Sequence, residues 1–117
     1  NVVWYPSDAR ANFLNVVTKR PVERGYHFIE FVMHQIGDEQ WCTLTSESAQ
    51  AGIRVSGWNL RGWSYYCGRR HGGVPGQAAL HVDRKEVQSL SFVDDGDVVG
   101  MLLDADRRAV AFLKNGT

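Results

Sequence analysis

Two cysteines and four histidines are the side chains of this 117-residue sequence best suited to nucleophilic, acid–base or metal chemistry. They are Cys42, Cys67, His27, His34, His71 and His81. A nucleophilic centre needs a serine or cysteine beside a histidine that an acidic side chain orients. These residue types are present, but the sequence contains no Gly-x-Ser-x-Gly elbow that would bring them together. We therefore expect no catalytic residues and a protein that is not an enzyme.

Two segments partly match metal-binding motifs. Cys67, His71 and His81 follow a C-x3-H-x9-H pattern, which differs from the spacing of zinc fingers. Residues 104–108 resemble the start of a calcium loop, but Arg108 takes the place of a ligand and the glycine of such a loop is missing. We therefore predict no metal and no cofactor. Cys67 is expected to be a buried strand thiol, and 104–108 a hairpin turn whose acids cap backbone amides.

The segment 68–76, Gly-Arg-Arg-His-Gly-Gly-Val-Pro-Gly, is rich in glycine and basic residues. A phosphate cradle needs a strand before such a segment and the first turn of a helix after it. No helical pattern follows, and Pro75 lacks the N–H that a series of phosphate-binding amides requires. The composition therefore predicts a flexible loop between strands.

The overall charge and the apolar runs limit the class of protein. The chain has 13 Lys and Arg against 13 Asp and Glu, so the net charge is zero, and binding of nucleic acid or membranes by bulk charge is not expected. The longest apolar run, 98–103, is too short to cross a bilayer, and the first residues lack signal-peptide features. Two cysteines do not indicate a disulfide-stapled secreted scaffold. We expect an intracellular, cytoplasmic protein.

Glycines divide the chain into short segments that are rich in β-branched and aromatic residues. Within 26–33, Ile29, Phe31 and Met33 alternate with residues of the other face. Only 46–51 has a composition compatible with a helix. Many short strands with glycine-rich turns indicate an antiparallel sandwich or barrel. The predicted strands are 2–5, 13–18, 26–33, 41–45, 63–67, 78–82, 87–93, 98–103 and 109–113.

The C-terminal segment has the clearest local pattern. A turn at 95–97 precedes the apolar strand 98–103, whose continuous apolar character indicates burial on both faces. A polar turn then leads to strand 109–113. Asn115-Gly116 follows, and this dipeptide is the strongest short hairpin signal because a type I′ turn needs positive φ at both central residues.

Charges are unevenly distributed along the chain. Residues 54–82 contain four arginines, two histidines, several aromatic residues and no acid, whereas 83–106 contain seven acids. One interpretation is a basic, aromatic face that binds a partner, because Arg, Trp and Tyr dominate binding hot spots. The other is that the aromatic residues are core and the arginines pair with acids across strands. Trp41 and Trp63 lie in apolar strands and are predicted to be structural, whereas Trp58 lies beside a glycine in a loop and is a better contact candidate.

Five blocks of this sequence resemble the SPRY domain family. Gly-Tyr-His-Phe-Ile-Glu-Phe at 25–31 is similar to the family's first conserved strand, and 41–44 stands where the family has a Trp-x-x-Gly-Val strand. Gly-Trp-Ser-Tyr-Tyr at 62–66 resembles its Trp-Gly-Tyr strand. The blocks at 96–104 and 112–116 resemble its signature, which ends in Asn-Gly. The resemblance covers about residues 25–116 in the family's order.

The resemblance implies a concanavalin-like fold, a bent two-sheet antiparallel β-sandwich with little or no helix, over a single domain spanning 1–117. It also implies a non-catalytic module that recognises a partner peptide or protein, as in ubiquitin-ligase adaptors, channels and scaffolds. In that family the ligand lies on loops at one end of the sandwich, which correspond here to 5–10 and 47–59. With the loop arginines that follow, the partner-binding candidates are Tyr5, Asp8, Arg10, Arg54, Trp58, Asn59, Arg69 and Arg70.

The chain departs from the family pattern in three places. Thr43-Leu44 replaces the usual Gly-Val, and 69–86 matches no conserved block. The family also continues with further strands after Asn-Gly, so we expect the domain to be incomplete beyond that turn. Strand 109–113 should then be covered by further residues, by a second chain or by an alternative pairing. A lectin-like sandwich that binds carbohydrate through exposed Trp and His remains the alternative function, because fold does not determine function.

Overall fold

The computed structural model describes residue 18 and residues 20–36, 39–45, 60–71 and 74–117, and for 69–71 the backbone alone. These residues form eight β-strands and no helix. In this part of the chain no helix has the length and apolar character needed to cross a membrane. The strands are β1 Tyr26–Val32, β2 Glu39–Thr45, β3 Gly62–His71, β4 Val74–Pro75, β5 Ala78–Val82, β6 Lys85–Leu90, β7 Val98–Asp104 and β8 Ala109–Lys114.

The strands form two antiparallel sheets. One has the order β1-β7-β8, and the other has the order β2-β3-β5-β6 with β4 paired to the end of β3. Residues from both sheets pack into one core. This arrangement confirms the predicted all-β, two-sheet antiparallel sandwich. We call the two sheets the three-stranded sheet and the larger sheet.

The alternation in β1 positions one face of the three-stranded sheet against the core. His27, Ile29 and Phe31 are half-buried, while Phe28 and Val32 on the opposite face are exposed. This period of two is the pattern expected for a strand with one solvated face. The predicted assignment of Ile29 and Phe31 to one face is confirmed. β1 ends at residue 32, one residue earlier than predicted, and pairs along its whole length with β7.

The core lies where the two sheets close on each other. Its buried side chains come from β2, β3, β5, β7 and the segment that precedes β7. Tyr65 is among them, and its hydroxyl donates to the Ser91 carbonyl at 2.7 Å. Burial raises the pKa of Tyr65 to about 12. The buried core residues, which we call the closed half of the inter-sheet space, are Cys42, Tyr65, Cys67, Ala78, Val93 and Val99.

The Asn115-Gly116 turn has the predicted geometry. Both residues have positive φ, at 51° and 83°. Lys114 and Thr117 exchange backbone hydrogen bonds of 3.0 and 3.1 Å across the turn. Asp97 fixes it to the preceding loop, because its carboxylate accepts from Asn115 at 2.8 Å and pairs with Lys114 at 2.9 Å. These contacts close the two-residue hairpin turn that the sequence indicates.

The polar turn between β7 and β8 is also confirmed. The Asp104 carboxylate accepts from the Arg107 amide at 3.1 Å, and Asp106 accepts from the Gly25 amide at 3.2 Å. Ala105 donates to the Gly25 carbonyl at 2.9 Å. The two acids therefore cap backbone amides, as predicted for a hairpin turn.

Two predictions for the larger sheet were wrong in detail. The described part of the basic glycine-rich segment is mostly strand and not loop, because β3 continues through Gly68 to His71 and pairs with β4 at Val74–Pro75. Gly68 has a φ of 93°, a conformation that allows the strand to bend without ending. The strand predicted at 87–93 is β6, which starts and ends earlier, because Lys85 and Glu86 already pair with β5 and the pairing, with a register shift at Val87, ends at Leu90. The predicted segments 2–5, 13–18 and 46–51 lie outside the described residues, apart from residue 18.

Candidate functional site

The inter-sheet space opens between the edge strands β6 and β8. There an apolar groove of about 240 Å³ separates the two sheets. The Tyr65 and Phe112 rings meet edge to face at 6.0 Å and mark where the closed half ends. Every lining side chain except Gln88 is apolar. We call this the open groove, lined by Trp63, Leu80, Gln88, Leu90, Val110, Ala111 and Phe112.

A second concavity, of about 430 Å³, lies around the turn between β5 and β6. It continues the open groove along the same strands, because Val82 is two residues beyond Leu80 and Lys85 is three residues before Gln88. Two residues of a strand span about 7 Å, so the two concavities are adjacent. We call it the basic hollow, lined by Arg61, Val82, Asp83, Arg84, Lys85 and Val87.

The backbone around the basic hollow is held by reciprocal hydrogen bonds. The Gly62 amide donates to the Asp83 carboxylate at 2.9 Å, and the Asp83 amide donates to the Gly62 carbonyl at 2.9 Å. The Thr45 hydroxyl donates to the Arg61 carbonyl at 2.7 Å. Gly62 has a φ of 124°, and a Cβ there would lie 2.1 Å from the Leu44 carbonyl oxygen. Only glycine allows this close approach, so the start of β3 is locked to the β5–β6 turn.

The turn between β5 and β6 is a two-residue hairpin loop without glycine. Asp83 and Arg84 have φ values of 46° and 72°. Positive φ at both central residues is typical of a type I′ turn, which normally uses Asn or Gly. An arginine in this conformation carries a steric cost of roughly 1 kcal/mol, which the Gly62–Asp83 hydrogen bonds offset. The turn therefore presents Arg84 at a defined position on the rim of the basic hollow.

Positive charge dominates the basic hollow. The hollow has three cations, Arg61, Arg84 and Lys85, and one acid, Asp83, whose carboxylate accepts a backbone hydrogen bond. The β7–β8 turn lies at the same end, because Trp63 at the start of β3 and Val110 at the start of β8 line the open groove together. That turn has two arginines, Arg107 and Arg108, and two acids, Asp104 and Asp106, so it adds no net charge; the Arg107 side chain is 80% exposed and pairs with Asp104 at 3.7 Å.

An aromatic cluster occupies the outer face of the larger sheet. The Trp41 and Tyr66 rings lie 4.4 Å apart, and His81 meets the Trp41 ring edge to face at 4.9 Å. The Trp41 indole donates to Glu39 at 2.9 Å. Burial lowers the pKa of His81, and the nearby Glu86 carboxylate opposes that shift. Trp41 therefore stabilises the sheet as predicted, but on the face opposite the closed half.

A Ser-His-Glu row crosses the same face, which bears on the enzyme hypothesis. Ser64 lies opposite His81 in the strand register, and His81 lies opposite Glu86. Ser64 and His81 are both buried, and the Ser64 hydroxyl shares a 3.0 Å hydrogen bond with Thr43. A catalytic nucleophile must reach its substrate. Because the Ser64 and His81 side chains are both buried, a substrate has no access to either of them in this conformation.

The two cysteines are free thiols inside the closed half. The pKa of Cys42 lies far above its usual range. The main cause is a hydrogen bond between the Cys42 and Cys67 thiols, and burial is the second cause. Buried thiols of this kind are inert. Among the described residues no group of three His, Cys, Asp or Glu side chains is placed to hold a metal ion.

Most of the predicted partner-binding residues lie outside the described residues: Tyr5, Asp8, Arg10, Arg54, Trp58 and Asn59. The backbones of Arg69 and Arg70 lie in β3, and Arg69 is opposite Glu39 in the register. Sequence reasoning missed Arg84 and Lys85. The local signal was weak, because Asp-Arg is a rare pair for a two-residue turn. The strand-like segments before and after Asp83-Arg84 were the only indication that a hairpin turn lies between them.

No protein-family model, no curated protein and no solved structure matches this chain. Its activity must therefore be inferred from the residues and contacts described above. Among the described residues, the open groove and the basic hollow are adjacent, and together they form a surface that is apolar on one side and cationic on the other.

Proposed function

We propose that this chain is a SPRY-type, non-catalytic protein-interaction domain that recognises a partner peptide or protein at one end of its β-sandwich. The parent protein would use it inside the cell for substrate or partner recognition, as a ubiquitin-ligase adaptor, channel or scaffold does. The motif order along 25–116 and the two-sheet sandwich support this proposal. The basic hollow is the observation that carries it.

The basic hollow has three properties of a recognition site. Its backbone is fixed by the Gly62–Asp83 hydrogen bonds, so binding requires little ordering. It combines apolar walls from Val82 and Val87 with cationic side chains, a mixture that fits a peptide carrying acidic and apolar residues. In the sequence Arg61 lies two residues after the predicted contact loop 47–59. The hollow is therefore at the end of β3 that this loop precedes in the chain.

An affinity-capture experiment tests the proposal. Immobilised wild-type chain is compared with an Arg61→Gln, Lys85→Gln variant, which removes two positive charges from the hollow. The control is Tyr26→Glu, Val32→Glu, which changes the net charge equally on an exposed face of the other sheet. We expect proteins bound by the wild type and the control to be depleted at least tenfold by the hollow variant. Equal recovery by all three would place recognition elsewhere.

A second variant, Trp58→Ala with Arg54→Ala, tests the predicted loop independently. Loss of the same proteins from this variant and from the hollow variant would assign both to one binding surface. Retention by the loop variant alone would limit recognition to the hollow.

Carbohydrate binding is a second candidate because Trp63 lines the open groove. An indole in a groove offers the flat apolar face on which a sugar ring packs. A glycan array separates the two functions. Binding of a defined glycan that is lost in Trp63→Ala and unaffected by Arg61→Gln, Lys85→Gln would favour the lectin-like function. Absence of any glycan signal together with capture of a protein favours the interaction domain.

A further inference from the structure

The basic hollow is formed by one hairpin and the residue before β3. Five of its lining residues belong to the β5–β6 hairpin, and the sixth, Arg61, directly precedes β3. Arg61, Arg84 and Lys85 are exposed, and Val87 is 56% exposed. Among the described residues the lining includes none from β8, so the hollow is independent of what covers that strand.

Arg61 and Arg84 lie side by side at this end of the larger sheet. The reciprocal bonds join Gly62 to Asp83, and each arginine is the next residue on the side of these bonds away from the sheet. Neighbouring strands are about 5 Å apart, so the two arginine backbones are separated by about that distance. Like charges at opposite positions repel each other and lower stability. An anion bound between the two side chains reduces this repulsion.

The backbone of Arg84 is a second feature that costs stability. Its φ of 72° lies in the left-handed region, where a type I′ turn favours asparagine or glycine. Unfavourable backbone conformations that persist in a fold cluster at functional sites. Arg108 has a similar φ, 54°, but its turn contains two acids. At the hollow, by contrast, the arginine in the unfavourable conformation lies beside two further cations.

The charge of the hollow matches that of a phosphoryl group. Its three cations and one acid give a net charge of +2, and the acid, Asp83, already accepts a hydrogen bond from the Gly62 amide. A phosphorylated side chain carries a charge of about −2 at pH 7 and three acceptor oxygens. A carboxylate has a single negative charge and two oxygens. Guanidinium groups also bind phosphate oxygens through two parallel N–H donors.

We propose that the basic hollow binds a phosphorylated side chain of a partner protein, with the phosphoryl oxygens held by Arg61, Arg84 and Lys85. Val82 and Val87 then pack against the carbon atoms that carry the phosphoryl group. A phosphopeptide is favoured over nucleic acid because the chain has no net positive charge to follow a series of phosphodiesters. This inference rests on the proposed recognition function and names the chemical class of its ligand.

The first test uses immobilised peptide libraries, with the 117-residue chain as the soluble probe. Each library has random flanks around a fixed phosphoserine, phosphothreonine or phosphotyrosine, and matched libraries have the unphosphorylated residue or glutamate there. The strongest phosphopeptide is then titrated by fluorescence anisotropy. We expect it to bind about tenfold more tightly than its unphosphorylated and glutamate counterparts. Equal affinity for the glutamate peptide would overturn the proposal, and so would binding of no phosphorylated library.

Two substitutions to asparagine separate binding from folding. Arg84→Asn removes a cation of the hollow and places a favoured residue in the turn, so the urea midpoint should rise while affinity for the phosphopeptide falls about tenfold. Arg108→Asn is the matched control, because it removes the same charge at a similar φ in the β7–β8 turn. Its urea midpoint should also rise, with affinity unchanged. Unchanged affinity in Arg84→Asn, or an equal loss in both variants, would contradict a site at the hollow.

Competition identifies the source of the phosphoryl group. Phenyl phosphate should displace the labelled phosphopeptide, and a single-stranded DNA oligonucleotide and phosphatidylserine vesicles should not. Displacement by the oligonucleotide or the vesicles, but not by phenyl phosphate, would make the occupant a nucleic acid or a membrane surface and would overturn the proposal.

The proposed function and this inference can fail separately. Affinity capture is repeated from a lysate treated with phosphatase. If Arg61→Gln, Lys85→Gln loses the captured proteins while phosphatase leaves wild-type capture unchanged, the interaction domain stands and phosphoryl recognition is wrong. If neither the variant nor phosphatase alters capture, the proposed site is wrong as a whole. Loss under both conditions, together with phosphopeptide binding that depends on Arg84, supports both.

Discussion

The two halves of the inter-sheet space share β3 and β5 but differ in the other strands that line them, β2 and β7 in the closed half and β6 and β8 in the open groove. In the closed half Cys67, Val93 and Val99 are completely buried. In the open groove Trp63, Val110 and Phe112 are only half-buried, although Trp63 lies on β3, whose Tyr65 and Cys67 are in the core. The difference arises because the segment before β7 covers one side: Val93 donates to the Cys67 carbonyl at 3.1 Å and places its side chain in the core.

This difference separates stability from recognition. Completely buried apolar side chains contribute the full transfer free energy, whereas half-buried ones retain surface that a ligand can still remove from water. The closed half should therefore determine the free energy of unfolding, and the open groove should determine binding.

The largest effect is expected from Gly62→Ala, at the buried start of β3, where the backbone is held to the β5–β6 turn. A Cβ at this position would lie 2.1 Å from a backbone oxygen, and the φ of 124° is unfavourable for alanine. We expect the free energy of unfolding in urea to fall by more than about 3 kcal/mol. Gly96→Ala is the control: its φ is also positive but its Cβ would meet nothing, so it should cost only about 1–2 kcal/mol. Equal losses in the two variants would show that the backbone around the basic hollow is not rigid. The proposal that the hollow is a preorganised binding site would then lose support.

The same substitution in the two halves gives the most direct comparison. Val99→Ala removes two buried carbon atoms from the closed half and should lower the free energy of unfolding by about 2–3 kcal/mol. Val110→Ala removes the same atoms from the open groove and should cost less than about 1 kcal/mol. Both values come from urea denaturation monitored by tryptophan fluorescence. A loss at Val110 as large as that at Val99 would mean that the groove is part of the core.

The smallest effect concerns the acid stability of the turn that follows β8. Hydrogen bonding from Asn115, then from the Asp94 amide and Lys114, lowers the pKa of Asp97 to about 2 from 3.8. A depressed folded-state pKa stabilises the protein above the unfolded-state value, and this contribution is lost as pH falls through about 2. Wild-type chain should therefore lose about 1–2 kcal/mol between pH 5 and pH 2 through this group. Asp97→Asn should lack that part of the loss, and an unchanged pH dependence in this variant would contradict the assignment.

Most strands of the fold were predictable because their patterns are local. The alternation at Ile29 and Phe31 indicates a half-buried strand, and the apolar run after the 95–97 turn indicates a buried one. Asn115-Gly116 could be assigned to a hairpin turn because few other dipeptides tolerate positive φ at both positions. The extension of β3 to His71 was not predictable, because its pairing with β4 depends on a partner rather than on its own glycine-rich composition.

The candidate site was harder to predict than the fold. The sequence indicated a cationic, aromatic stretch and placed Arg61 within it. It did not indicate that Arg84 and Lys85, beyond the predicted strand 78–82, share a concavity with Arg61. That proximity follows from the pairing of β3 with β5, between residues 13 to 19 positions apart, combined with the β5–β6 hairpin.

By itself, the sequence determined the all-β class, the position of most strands, the C-terminal hairpin turns and the burial of Cys67, because each depends on periodicity or on turn chemistry within a few residues. The tertiary structure decided that Trp41 and Trp63 lie on opposite faces of the larger sheet, and that a groove remains open between β6 and β8. It also decided that Ser64 and His81 are buried opposite each other in the strand register. These outcomes depend on strand order and register. Strand order and register are set by the packing of the whole core, and no local pattern carries that information.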